Sequence, residues 1–341
     1  MLKTFDEVSE MIKSGKLLHI AATEALLRKL PKGRWIGGST EYFMDKEGGK
    51  VSGELLFVTE FPYEKFSVKT YDASNISEVT KDAFENGFSI VIVPFNSVVH
   101  KEYAQNAAGF DEMFIKNIVG WVSGLNLNVA GQTPITADGS AQEVFIDKAV
   151  VLHLEVPQDK TVSVNIVNIF TQDANSPVIE FTQEGFCAEK CLINGKETSF
   201  AQYIEENGID TKLPIVGDYS GSGVNVSFKS IENGVVNFYA PVFSGIKYRI
   251  ADKISDYAKV FNDRLADLKG TQAVFSCNCI LNFLYGKFEG KKINAFAGPV
   301  TMLLTAVGKK SKEVNTFAGP ITFGEIAYQL VNQTLVYVTV D

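Results

Sequence analysis

Histidine, cysteine and tryptophan are scarce in this chain, with three, four and two residues among 341. None of the histidines, His19, His100 and His153, stands in a His-Glu-x-x-His, His-x-x-x-His or Cys-x-x-Cys-His arrangement, which excludes a zinc-protease helix and a covalent haem attachment. Four cysteines are too few to staple so long a chain, and the spacings Cys187-x3-Cys191 and Cys277-x-Cys279 are not those of a structural zinc site. They are read as thiols. A basic excess is missing too: 32 Lys and Arg against 40 Asp and Glu leave a net charge of −8, and no cationic cluster would draw a phosphate backbone. Nucleic acid is therefore not the expected partner. No segment reaches the ~18 uninterrupted apolar residues of a membrane-spanning helix. The opening MLKTFDEVSEMIKSGK is charged and amphipathic rather than leader-like, so a cytoplasmic location is expected.

What is present is ordinary globular material. Hydrophobic residues make up 45% and charged residues 21%, enough apolar surface to offset the conformational entropy of ordering the chain. At 341 residues the length exceeds what one core usually serves, so two domains are expected, 1–195 and 196–341.

Apolar periodicity predicts two short N-terminal helices, one on Phe5, Val8, Met11 and Ile12 and one on Leu26, Leu27 and Leu30 before Pro31. Strands are predicted at Val51 to Phe61 and Phe88 to Phe95, with a helix over His100 to Trp121 interrupted at Gly109. Two strands within Glu143 to Phe170 flank Pro157 to Lys160 as a hairpin, and shorter ones follow near Val178 to Phe181 and Cys187 to Ile193. Asn194–Gly195 reads as a turn, Ser199 to Asn207 as a helix, and Glu232–Asn233–Gly234 as the turn of another hairpin. A long amphipathic helix is expected on Ile250, Ile254, Tyr257, Phe261, Leu265 and Leu268, then a strand from Ala273 to Cys277 and a terminal strand from Gln333 to Val340. The class is α+β, with mostly antiparallel sheets packed with helices. Asn294 to Thr301 recurs as Asn315 to Thr322, either as two strand–turn elements or as two backbone-rich loops facing one cavity.

The catalytic signals are weak. Gly37–Gly38–Ser39–Thr40 could cradle an anion or form a tight turn, but it lacks the Gly-Lys-Ser/Thr ending of a phosphate loop. Ser220–Gly221–Ser222–Gly223 has none of the geometry of a nucleophile elbow. His153, inside an apolar strand, is either a hydrogen-bonded strand histidine or a haem or metal ligand. Cys277 is either buried structure or the centre of a cysteine-dependent or redox activity.

A family resemblance gathers these fragments. Phe181–Thr182, Glu184–Gly185 and Ile193–Asn194–Gly195–Lys196, then the long helix, Val274–Phe275–Ser276–Cys277, and Gly319–Pro320–Ile321–Thr322–Phe323–Gly324–Glu325–Ile326, together resemble the join and C-terminal half of the FIST family. Ile36 to Thr40 is similar to the Gly-rich segment opening its N-terminal half. Asn278–Cys279–Ile280 departs from the family, which commonly carries an Arg after this strand. The resemblance implies a non-catalytic sensory input module that binds a small ligand, an amino acid among the candidates, and signals through a separate output protein. The ligand site it implies lies between the two halves, on Gly37, Gly38, Ser39, Cys277, Asn278, Gly324 and Glu325. Glu325, after Gly324 and expected near Cys277, is either a solvated surface residue or the carboxylate that holds a ligand amine. No cofactor is expected, with haem as the minor alternative.

Overall fold

The computed structural model describes residues 1–219, 221–268, 270–291 and 317–341. Strand accounts for 43% of it and helix for 17%, so inter-strand pairing rather than helix packing carries this α+β fold. The first copy of the Asn-x-Phe-Ala-Gly-Pro repeat, residues 294–301, lies outside the described residues, as do Ser220 and the first two residues of the second copy.

Among the described residues there are five sheets, and all strand pairs are antiparallel except three. The first sheet runs Leu2–Lys3, Leu56–Phe61, Leu17–Ala22, Trp35–Ser39, Thr136–Asp138, Glu143–Phe145. The second runs Gln329–Val331, Glu325–Ala327, Ile118–Ser123, Gly87–Pro94, Ala149–Glu155, Phe66–Tyr71. The third sets Thr334–Val340 between Val162–Asn168 and Ala273–Cys279 and continues through Gly319–Thr322 to Tyr42–Asp45 and Gly48–Val51. The C-terminal residues thus complete sheets begun near the N-terminus. The expected boundary at residues 195 and 196 falls in the turn joining Lys190–Ile193 to Lys196–Ser199, and four of the five sheets draw strands from both sides of it.

The second sheet is the middle layer. Along Gly87–Pro94, Phe88, Ile90 and Ile92 enter one apolar cluster while Val91 and Val93 enter another. A strand buried on both faces is apolar at nearly every position, which is why FSIVIV does not alternate; its one polar residue, Ser89, is hydrogen-bonded to His153. One face meets the first and third sheets through Phe57, Trp121 and Phe275. The other face packs on helix Val98–Asn106, through Val99 and Tyr103, and on Phe181 beside strand Ile179–Glu180, Phe200 of helix Phe200–Glu206 and Phe238 of strand Val235–Val242.

Local chemistry explains the short elements. Thr4 caps helix Phe5–Lys13 in a capping box with Glu7, and Ser199 caps Phe200–Glu206. Asn194 (φ 49°) and Gly195 (φ 82°), and likewise Asn233 (φ 52°) and Gly234 (φ 81°), adopt the left-handed backbone of tight hairpin turns.

Four expectations are corrected. The helix expected over His100 to Trp121 spans only Val98–Asn106, and Ile118–Ser123 is instead a strand parallel to Gly87–Pro94, because IVGWVS can be buried on both sides. The strands on either side of Pro157 do not pair with each other. Ala149–Glu155 lies between Gly87–Pro94 and Phe66–Tyr71, whereas Val162–Asn168 crosses to Thr334–Val340. The long helix begins only at Tyr257, after the Asp256 cap, since Lys247–Ile250 is a strand. Gly37 to Ser39 belong to strand Trp35–Ser39 and form neither loop nor turn.

Candidate functional site

Cys277, Asn278 and Glu325 come together, as expected, but in a closed polar knot. Glu325 has no exposure. Its Oε2 accepts from the Thr334 hydroxyl (2.8 Å) and backbone N–H (3.3 Å), its Oε1 lies 2.8 Å from Thr322 Oγ1, and the Cys279 thiol also bonds to it. Burial outweighs these bonds and lifts the carboxyl from its ordinary 4.5 to about 8. The geometry agrees with a protonated acid. Thr322 has a single hydroxyl proton but sits 3.2 Å from Asn278 O as well as beside Oε1. Both contacts are satisfied if Glu325 donates to Thr322 and Thr322 donates to Asn278 O.

Among the described residues, none of the three cavities described below adjoins this knot, although Asn278 Nδ2 is buried without a partner. Asn278 Oδ1 accepts from Asn282 Nδ2 (2.8 Å), and Gly324 packs near Val122 and Leu330. The Cys277 thiol donates to Gly120 O (3.3 Å) and burial pushes its pKa well above the usual thiol range, as it does for Cys279. An activated cysteine nucleophile needs the opposite shift. None of Cys277, Asn278, Gly324 and Glu325 lines any of the three cavities described below.

The glycine segment is held by close packing. A Cβ on Gly37 would lie 2.8 Å from Ile20 O, and one on Gly38 would lie 2.7 Å from both Ile92 and Trp121. Ser39 Oγ donates to Gly124 O (2.7 Å) and accepts from Ile135 N–H (2.9 Å), tying the strand to the loop after Ile118–Ser123. Ser39 is the one predicted residue that borders a cavity, an open cleft of about 310 Å³ shared with Thr23, Glu24, Thr40, Glu41 and Gln132. Glu24 is paired with Arg28, and Glu41 accepts from Asn126 and Gln132. A smaller cavity of about 90 Å³ lies beside Trp35 and Arg28.

His153 cannot serve as a ligand without dismantling its surroundings. Tyr71 Oη donates to Asp82 (2.7 Å), so it accepts from His153 Nε2 (3.0 Å), which leaves Nδ1 to accept from Ser89 Oγ (2.7 Å). Both ring nitrogens are occupied and the residue has no exposure. Among the described residues no three His, Cys, Asp or Glu side chains converge as metal ligands, and no helix is long and apolar enough to cross a membrane.

The third cavity, about 200 Å³, has a different character. It opens between the segment that leads into helix Val98–Asn106 and the three-stranded sheet of Gly185–Ala188, Val235–Val242 and Phe228–Glu232. Its walls are aromatic: Phe95, Phe186, Phe238 and Tyr239, with Phe95 6.3 Å from Tyr239 and Phe186 5.7 Å from the His100 ring. Its polar groups are Asn96, His100, Lys101, Cys187, Lys229 and Asn237. His100 is 2% exposed, and its Nδ1 accepts from Asn96 N–H (3.3 Å). The proton then resides on Nε2, which has no partner. Burial first, then the nearby charges of Lys101 and Lys229, lower its pKa to about 3, so the ring is neutral and its N–H remains a donor. His19 also has a partnerless ring nitrogen but lies in the three-sheet core beside Trp121 and Phe275, facing none of these cavities. Cys187 is exposed, while Cys191, Cys277 and Cys279 are buried.

Sequence reasoning did not assemble this pocket, because its residues lie between positions 95 and 239 with no common spacing. The one local signal was His100–Lys101 just after the strand end Pro94–Phe95–Asn96, at the start of a helix.

Comparison with known proteins adds a family and no activity. No curated protein and no solved structure matches the chain. The profile of DUF6976, described as a family of unknown function, matches residues 3–303 and 304–341. On that match, which spans nearly the whole sequence, the chain belongs to the DUF6976 family.

Proposed function

We propose that this is a small-ligand-binding protein of the sensory-input kind, with its site in the aromatic pocket at His100. The observation that carries the reading is the unpartnered His100 Nε2–H at the wall of an open cavity. Buried polar groups are nearly always hydrogen-bonded, so an unmet donor on a residue that lines a cavity is capacity that a ligand acceptor would use if the ring turned toward it. The FIST resemblance supports a sensory role, exerted through a separate output protein in the cytoplasm, although the ligand site moves away from Cys277 and Glu325. Glu325 has no capacity left for a ligand amine, because Thr322, Thr334 and Cys279 occupy it.

Cys187 provides the test, since it is exposed and lines the pocket. A panel of amino acids, organic acids, amines, nucleosides and sugars is screened for a raised thermal midpoint and for slower alkylation of Cys187 by iodoacetamide, read by mass spectrometry. At least one compound is expected to do both in the wild type and neither in His100→Phe. A panel that never protects Cys187 sinks the reading.

A further inference from the structure

The pocket's charge, walls and size together restrict what it can hold. No carboxylate lines it, yet two lysines do, and neither ammonium makes an ion pair or hydrogen bond with a described residue. Lys229 Nζ stands 5.5 Å from the centroid of the Phe95 ring, at the aromatic wall itself. His100 adds a neutral Nε2–H that has no partner and is buried in the wall, and Asn96, Asn237 and Cys187 complete the polar lining. Two cations and a donor, with no facing anion, favour a negatively charged group and disfavour an amine.

The apolar part of the wall is aromatic. Phe95, Phe186 and Tyr239 offer ring faces and edges that suit a planar unsaturated body. At about 200 Å³ the cavity lies below the ~300–1,000 Å³ usual for drug-sized ligands, which leaves room for one ring rather than a fused system with substituents.

Resting on the reading of this pocket as the ligand site, we propose that its ligand is a single-ring aromatic carboxylate, with the ring among Phe95, Phe186 and Tyr239 and the carboxylate between Lys101 and Lys229, on the side of His100. The helix beginning at Val98 presents its N-terminal end on the same side, adding to the positive potential. Because both lysines are exposed, salt should weaken the interaction.

The full chain is titrated by calorimetry with benzoate and with four probes that each remove one feature: benzamide, benzylamine, cyclohexanecarboxylate and inorganic phosphate. Benzoate should bind and protect Cys187 from iodoacetamide. Benzamide and cyclohexanecarboxylate should bind roughly tenfold more weakly or worse, and benzylamine and phosphate should give no heat. Lys101→Ala/Lys229→Ala, at exposed positions that leave the core untouched, should weaken benzoate at least roughly tenfold and flatten its salt dependence. Benzamide or benzylamine binding as tightly as benzoate would overturn the anion, and cyclohexanecarboxylate or phosphate doing so would overturn the aromatic body. If benzoate fails while another compound protects Cys187, the ligand class is wrong and the pocket stands. If benzoate binds without protecting Cys187 and without responding to the lysine pair, pocket and ligand class fall together.

Discussion

The knot around Glu325 and the pocket at His100 both bury a titratable side chain, and they treat its polar atoms in opposite ways. Glu325 is met by two threonines and a thiol and has no exposure. His100 has one nitrogen engaged, the other unmet, and a cavity beside it. Both pKa values are displaced by burial, so displacement alone does not separate a structural group from a functional one. Unmet bonding capacity on a residue that lines a cavity is the ground on which we propose His100 for the ligand site. The His153 chain, Asp82–Tyr71–His153–Ser89, teaches the same lesson, since its triad-like composition is wholly consumed by its own internal bonds.

The comparison can be broken most forcefully by removing each group. Glu325→Leu strips the acceptor from Thr334 and Cys279 and leaves buried donors unpaired, so urea unfolding should show a loss of about 3 kcal/mol or more. Glu325→Gln keeps one donor and one acceptor in the same volume and should cost much less. An equal loss for the two would mean that the knot does not hold a protonated acid.

Acidity sharpens the contrast, because the two groups respond with opposite sign. The Glu325 pKa is raised, so its contribution is present below about 4.5 and is lost as pH climbs to about 8. The stability of wild type relative to Glu325→Gln should therefore fall with rising pH across that window, at no more than about 1.4 kcal/mol per unit. The His100 pKa is lowered, so its contribution is present above about 6.5 and is lost as pH falls toward about 3. Wild type relative to His100→Phe should accordingly lose stability on acidification. Parallel slopes for the two pairs would erase the distinction.

The smallest effect is expected at the pocket near neutral pH. His100→Phe removes an unpaired donor and keeps an aromatic ring, so it should change stability by less than about 1 kcal/mol while abolishing ligand protection of Cys187. A large destabilisation would mark His100 as structural, like Glu325.

Much of the local structure was legible. The caps at Thr4 and Ser199, the Asn-Gly turns at 194–195 and 233–234, the apolar strand around Ile90 and the terminal strand ending at Val340 are all dictated within a few residues. The helix over His100 to Trp121 was over-extended because a short apolar run such as IVGWVS is compatible with either state until a parallel neighbour selects the strand. The Pro157 hairpin failed for a related reason: turn chemistry shows that the chain bends but does not show which strand will be the partner.

The candidate site was legible in part. That Cys277, Asn278 and Glu325 meet follows the order of the C-terminal elements, but nothing in one dimension showed that Thr322 and Thr334 would close over the carboxylate. Composition, turn residues and apolar periodicity determined an α+β chain without nucleic-acid charge or a zinc or covalent-haem motif, since these depend on residue type and near neighbours. Only the tertiary structure decided which buried polar group is satisfied and which is left without a partner at a cavity wall, because that depends on atoms brought together from positions as far apart as 95 and 239.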